Sequence, residues 1–271
     1  MTSQTTRSGP RPTTTALSTE DQVRRVVVVL AEVFCVVGTL YGVGVLGTRV
    51  EESSGGALAA TATLVAPAGP AFGIWSVIYL GLLAYAVWQL PAANATHERV
   101  RSTGWLAAAS MVLNAAWLLV TQQGWIWVSV VVILALAVTL GLLVLRLGAE
   151  RARSLPERLV LDVTFGLYLG WVAVASVANV TAALVDSGVD LGATGSQVAA
   201  VVVVAVAAAL GVLFARTLGA RWSIAAAMAW GLGWIAIGRL TGEPASVVTG
   251  IAAAVAAVVV LAAVWTRRSP R

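Results

Sequence analysis

Three apolar segments of this 271-residue chain carry aromatic and polar side chains spaced to share one helix face. The first reads Phe72-Gly73-Ile74-Trp75-Ser76-Val77-Ile78-Tyr79, the second Asn114-Ala115-Ala116-Trp117, and the third carries Trp171, Ala175 and Asn179. Residues three or four apart lie on the same side of a helix. Indole and phenol rings present flat apolar faces with one polar edge, and a carboxamide both donates and accepts hydrogen bonds. Polar groups in a bilayer are costly unless they are paired or line a cavity, so the joint pattern points to a shared pocket. Taken alone, each asparagine reads as interhelical hydrogen-bond glue.

Groups that could do acid–base, nucleophilic or metal chemistry are few. His97 is the only histidine, and Cys35, within an apolar stretch, is the only cysteine. This argues against a disulfide framework, a thiol or histidine metal site, and histidine-based catalysis, and no enzyme activity is expected. Two carboxylates fall in or near apolar segments, Glu32 about two turns into the first and Asp162 at the start of the fifth. Each is a candidate proton or ion site, which would fit a proton-coupled small-molecule transporter. The alternative is that each pairs with a neighbouring arginine, such as Arg25 or Arg158, or is wetted at the interface.

The elements that must position these residues follow from composition. The chain is 59% hydrophobic and 11% charged, with mean hydropathy +0.90, which marks a membrane protein. All 17 basic residues are arginine, and with abundant Ala, Val and Gly this suggests a GC-rich bacterial genome. The net charge of +5 does not indicate a nucleic-acid partner, because the arginines are spread over short loops. A bilayer core of roughly 30 Å needs about 20 apolar residues of helix. Eight stretches qualify or come close, at about 26–47, 72–90, 105–121, 125–145, 159–185, 197–215, 222–238 and 246–265. The expected architecture is an all-α polytopic membrane protein of about eight transmembrane helices. A disordered tail over 1–24 precedes a five-helix bundle over 25–185. An external linker over 186–196, a three-helix extension over 197–266 and a short tail over 267–271 follow.

With the N-terminus in the cytoplasm, every arginine except Arg49 and Arg239 falls on an inside segment, which satisfies the positive-inside rule with both termini inside. The first apolar run is too long for a signal peptide and reads as an anchor. In this topology the aromatic–polar groups, together with Trp230 and Trp234, share the outer half of the membrane, as around a cavity opening outward. Trp88, Trp105, Trp125, Trp127, Trp222 and Trp265 lie at helix ends and read as interfacial belt residues. Gly73, Gly81, Gly166 and Gly170 read as close-packing positions, and Arg239 as a snorkelling residue.

These segments resemble the translocator protein family, also called tryptophan-rich sensory proteins (TspO/MBR). Members carry a proline-containing loop followed by F-G-x-x-W-x-x-x-Y, matched here by Pro67, Pro70, Phe72, Gly73, Trp75 and Tyr79. Their third helix carries N-x-x-W, matched by Asn114 and Trp117, and their fifth W-x-x-x-A-x-x-x-N, matched by Trp171, Ala175 and Asn179. The resemblance covers roughly 26–185 and leaves the last three helices as an addition or a homodimer surface. It implies a five-helix bundle that binds tetrapyrroles, sterols or similar flat apolar ligands, with those seven aromatic, alanine and asparagine residues of helices two, three and five (Trp75, Tyr79, Asn114, Trp117, Trp171, Ala175, Asn179) around the pocket. No cofactor is required, although a porphyrin or heme-type ligand is implied. Loop 48–71 lacks the aromatic residues that members carry there, and no basic residue closely follows Tyr168, which ranks a tetrapyrrole above a sterol.

Overall fold

A computed structural model describes residues 16–219 and 221–268. Of the tails expected over 1–24 and 267–271, residues 1–15 and 269–271 lie outside the described residues. Helix begins at Thr19, so the last six residues of the expected N-terminal tail are ordered. The helix start is fixed by a capping box, in which the Ser18 hydroxyl accepts from the Asp21 amide at 3.1 Å and the Asp21 carboxylate accepts from the Ser18 amide at 3.1 Å.

Among the described residues eight long helices follow in order: α1 (Thr19–Gly42), α2 (Ile74–Trp88), α3 (Glu98–Gln122), α4 (Ile126–Leu147), α5 (Thr164–Asp186), α6 (Gly192–Thr217), α7 (Trp222–Thr241) and α8 (Val247–Arg268). Among the described residues there is no strand. Seven of the helices, α2 to α8, are long and apolar enough to cross a membrane, so this is an integral membrane protein. The first helix, expected as the eighth span, differs in charge: it opens on Glu20, Asp21, Arg24 and Arg25 and carries Glu32 within its apolar run. It nevertheless packs along α3 and leaves Val26, Leu30, Val33 and Val37 exposed on its far side.

Packing follows the order α1–α3–α4–α5, and α2 closes this group by lying between α1 and α5. The fifth helix is then gripped by α7, followed by α8 and α6. The last three helices therefore continue the bundle through the helix that carries Trp171. Close approach of α5 and α7 depends on Gly170, where a Cβ would lie 2.9 Å from the Ala227 Cβ. Gly73 has no such role, since a Cβ there would meet nothing within 4 Å.

Ion pairs tie the arginine-rich end of the bundle. Asp21 accepts from Arg24 at 2.8 Å and from Arg101 of α3, and these guanidiniums, Arg101 foremost, hold its carboxyl well below the usual carboxylate range. A π-helical segment, Arg158–Val163, leads into α5 and carries Asp162. That carboxylate pairs with Arg99 of α3 at 2.8 Å and with Arg221 at the start of α7, not with Arg158. Arg99 also meets Glu157 at 2.7 Å. Asp162 is thus a structural node joining three helices.

Candidate ligand site

At the opposite end, residues 43–73 fold over the mouth of the bundle. Two sets of contacts hold this loop down. Towards α3, the Thr48 amide donates to Gln122 Oε1 at 3.0 Å, Gln122 Nε2 donates back to the Thr48 carbonyl at 2.7 Å, and the Ser54 hydroxyl donates to the Thr121 carbonyl at 2.9 Å. Towards α7, Trp230 Nε1 donates to the Ala71 carbonyl at 2.8 Å, and the Ala68 amide donates to the Trp234 carbonyl at 3.3 Å. Arg239 donates to the carbonyls of Ala60 at 2.8 Å and Thr63 at 3.2 Å. The snorkelling expected of Arg239 is therefore corrected: it is 1% exposed and acts as a clamp on the loop, because the loop folds over it and offers backbone carbonyls to its guanidinium.

Two cavities lie beneath the loop. One, of about 50 Å³, sits between the loop and α5 and is lined by Trp117, Trp171, Ala175 and Asn179, with Leu58 and Pro67 above. The other, of about 380 Å³, lies between α1, the loop and α2 and is lined by Trp75, Tyr79, Ser76, Thr39, Arg49 and Glu51. Phe72 and Val50 border both cavities and separate them. The larger falls within the size range of small-molecule sites, and the smaller holds little more than a water molecule.

The wall between them is aromatic. Trp75 stacks on Tyr79 with ring centroids 5.2 Å apart and planes 12° from parallel. It also meets the edges of Tyr168 at 5.9 Å and Trp171 at 6.1 Å, while Phe72 packs edge-on to Trp171 at 5.8 Å. Such offset and edge contacts satisfy the ring quadrupoles. The indole Nε1 of Trp171 is buried and has no hydrogen-bond partner among the described residues, a donor left available.

The sequence motifs pair differently in three dimensions than along the chain. Asn114 does not serve its neighbour Trp117; its Nδ2 donates to Tyr79 Oη on α2 at 3.1 Å and to the Cys35 sulfur on α1 at 3.5 Å. Trp117 Nε1 instead donates to Asn179 Oδ1 on α5 at 2.9 Å, and Asn179 Nδ2 donates to the Ser129 hydroxyl on α4 at 3.0 Å. Both asparagines thus join helices. Asn114 lines neither cavity and sets the tyrosine that stacks on Trp75, whereas Asn179 reaches a cavity wall with its amide already engaged.

Glu32 is buried at 4% exposure, and its Oε2 has no hydrogen-bond partner among the described residues. The expected pairing with Arg25 is not formed among the described residues, where Arg24 turns to Asp21 and the Ala95 carbonyl. Sequence reasoning missed Phe72 as the divider, Val50 and Leu58 as the roof, Ser129 as the third partner of the Asn179 bridge, and Arg239 as the clamp. One signal was present. Arg49 and Arg239 are the two arginines that break the positive-inside bias, and both lie at this site.

The loop over an aromatic pocket, the N-x-x-W and W-x-x-x-A-x-x-x-N helices around it, and the seven apolar spans agree with a match to the family described as TSPO-like protein, over residues 26–265. The chain belongs to the TSPO-like protein family. That match includes α6, α7 and α8, whereas the motif resemblance stopped near residue 185, and the clamp from α7 gives a physical reason for a longer unit. No curated protein and no solved structure matches the chain.

Proposed function

We propose that this TSPO-like protein is a sensor or carrier that binds a flat apolar small molecule, a tetrapyrrole-like one favoured, beneath loop 43–73. The observation that carries the reading is the aromatic wall shared by the two cavities, with the Trp171 Nε1–H unpaired in it. Rotation of Phe72, which borders both, would join them into one slot with ring faces on one side and loop backbone on the other. The aromatic wall and its one free indole donor suit the face and edge of a conjugated plane, so we read the site as binding and not catalytic. By the positive-inside rule the arginine-rich end faces the cytoplasm and the loop faces outward in a bacterial cell membrane.

Titration of purified protein with protoporphyrin IX, followed by tryptophan fluorescence, tests the reading. Saturable quenching that weakens at least tenfold in Trp75→Phe/Trp171→Phe is expected. Quenching that does not saturate, or that is indifferent to both replacements, overturns it. A proton-coupled transporter draws support from unpaired, buried Glu32 alone, because Asp162 is engaged by two guanidiniums. Loss of substrate-driven proton uptake into liposomes in Glu32→Gln would favour that second reading, and unchanged uptake would remove it.

A further inference from the structure

We propose that the arginine-rich end carries a second site, which binds the phosphate of an anionic phospholipid headgroup between α4, the π segment and α7. A cavity of about 450 Å³ opens there, lined by Arg151, Arg158 and Arg221 together with Glu150, Asp162 and Trp222. Its charges are unequally engaged. Asp162 is neutralised by Arg99 and Arg221, and Arg221 also donates to the Leu218 carbonyl at 3.1 Å. The Arg151 and Arg158 side chains make no hydrogen bond or ion pair among the described residues, and Glu150 is the one carboxylate of the lining that does not accept from a guanidinium. Two guanidiniums therefore face the cavity with donors to spare, and a guanidinium fork matches phosphate oxygens.

Two further features favour an anion held at a membrane surface. The first turn of α7 opens on the cavity with no capping side chain, so the positive end of the helix dipole adds to the arginines. Beside the cavity, Trp222 packs edge-on to Trp265 at 6.2 Å, an aromatic pair suited to headgroup depth. Leu155, just before the π segment, and Leu159, within it, are exposed at 66% and 50%, which provides an apolar path for acyl chains leaving the phosphate. Basic pockets between helices on the cytoplasmic side are suited to anionic headgroups. A soluble phosphate would use the guanidiniums but not the leucines, which is why the lipid is the source chosen.

The test uses the full chain purified in detergent, with thermal unfolding followed during titration with phosphatidylglycerol, phosphatidylcholine or inorganic phosphate. Phosphatidylglycerol is expected to raise the unfolding temperature saturably, while the other two leave it unchanged at equal concentration. In R151Q/R158Q the apparent affinity should fall by roughly fivefold for each arginine removed, and R151K/R158K should keep most of it. Both arginines are exposed, so protoporphyrin quenching should be unaltered and failure here is distinguishable from failure of the ligand site. Equal shifts with both lipids, an undiminished shift in R151Q/R158Q, or a matching shift with inorganic phosphate would each overturn the lipid site.

Discussion

Replacing Arg239 by methionine should unlatch the loop while leaving the bundle intact. Two of its hydrogen bonds cross to the loop, at 2.8 Å to Ala60 and 3.2 Å to Thr63; a third, at 3.3 Å to the Glu243 carbonyl, stays within its own turn. A hydrogen bond to a charged group is worth about 1.5–3 kcal/mol, and since the second is long, the lower value for each gives roughly 3 kcal/mol. Part of that returns, because the buried cation forms no carboxylate ion pair among the described residues and methionine removes its desolvation cost. A net loss of about 2 kcal/mol raises the open population roughly 30-fold. Hydrogen exchange reads this directly at the amides of Ala62 and Ala66, which bond to the Ala59 and Thr63 carbonyls. Exchange across 57–66 should accelerate about 30-fold by that estimate, with α3 unchanged and porphyrin association faster. Unchanged exchange in the loop, or equal acceleration throughout the bundle, would refute the clamp.

Four other outcomes follow from the contacts described. Trp117→Phe removes the donor to Asn179 and should cost about 0.6 kcal/mol, at most near 2, in detergent unfolding, with porphyrin affinity little changed; a large affinity loss at unchanged stability would make this pair a ligand contact. Ala175→Leu fills the cavity of about 50 Å³, so quenching should be lost while stability changes by about 1–3 kcal/mol. Arg99→Met leaves Glu157 and Asp162 short of a partner and should destabilise by roughly 3 kcal/mol or more, measured by thermal unfolding. The depressed Asp21 carboxyl contributes stability above its ordinary value of 3.8 that is lost as pH falls below it. A midpoint-against-pH series should therefore decline below about pH 4, and Asp21→Asn should flatten that decline.

The membrane character and the helix order were legible because hydropathy and arginine placement act over whole segments. Residues that line the two cavities were legible too, since Trp75 with Tyr79, and Trp171 with Ala175 and Asn179, stand at spacings a helix projects to one face. Their partners were not. Spacing along one helix pairs Asn114 with Trp117, whereas packing turns one towards Tyr79 and Cys35 and the other towards Asn179. Helical periodicity fixes which residues share a face and is silent about which helix that face meets. Glu32 and Asp162 looked alike in sequence, yet one is unpaired and the other held by two arginines that lie 63 and 59 positions away along the chain. The roof was hidden because loop 48–71 has neither periodicity nor aromatic residues, and its order comes from side chains on α3 and α7.

The ties from α7 also impose a timetable on biogenesis. Ala60, Thr63 and Ala71 are made early, but their partners Arg239 and Trp230 are synthesised 159 to 179 residues later. At about 5–20 residues per second a ribosome needs on the order of ten to thirty seconds to cover that stretch. During this interval the first five helices can insert and pack while the mouth above them stays unlatched. The aromatic slot of the nascent chain is thus more open than that of the finished protein, and completion of α7 is the closing step.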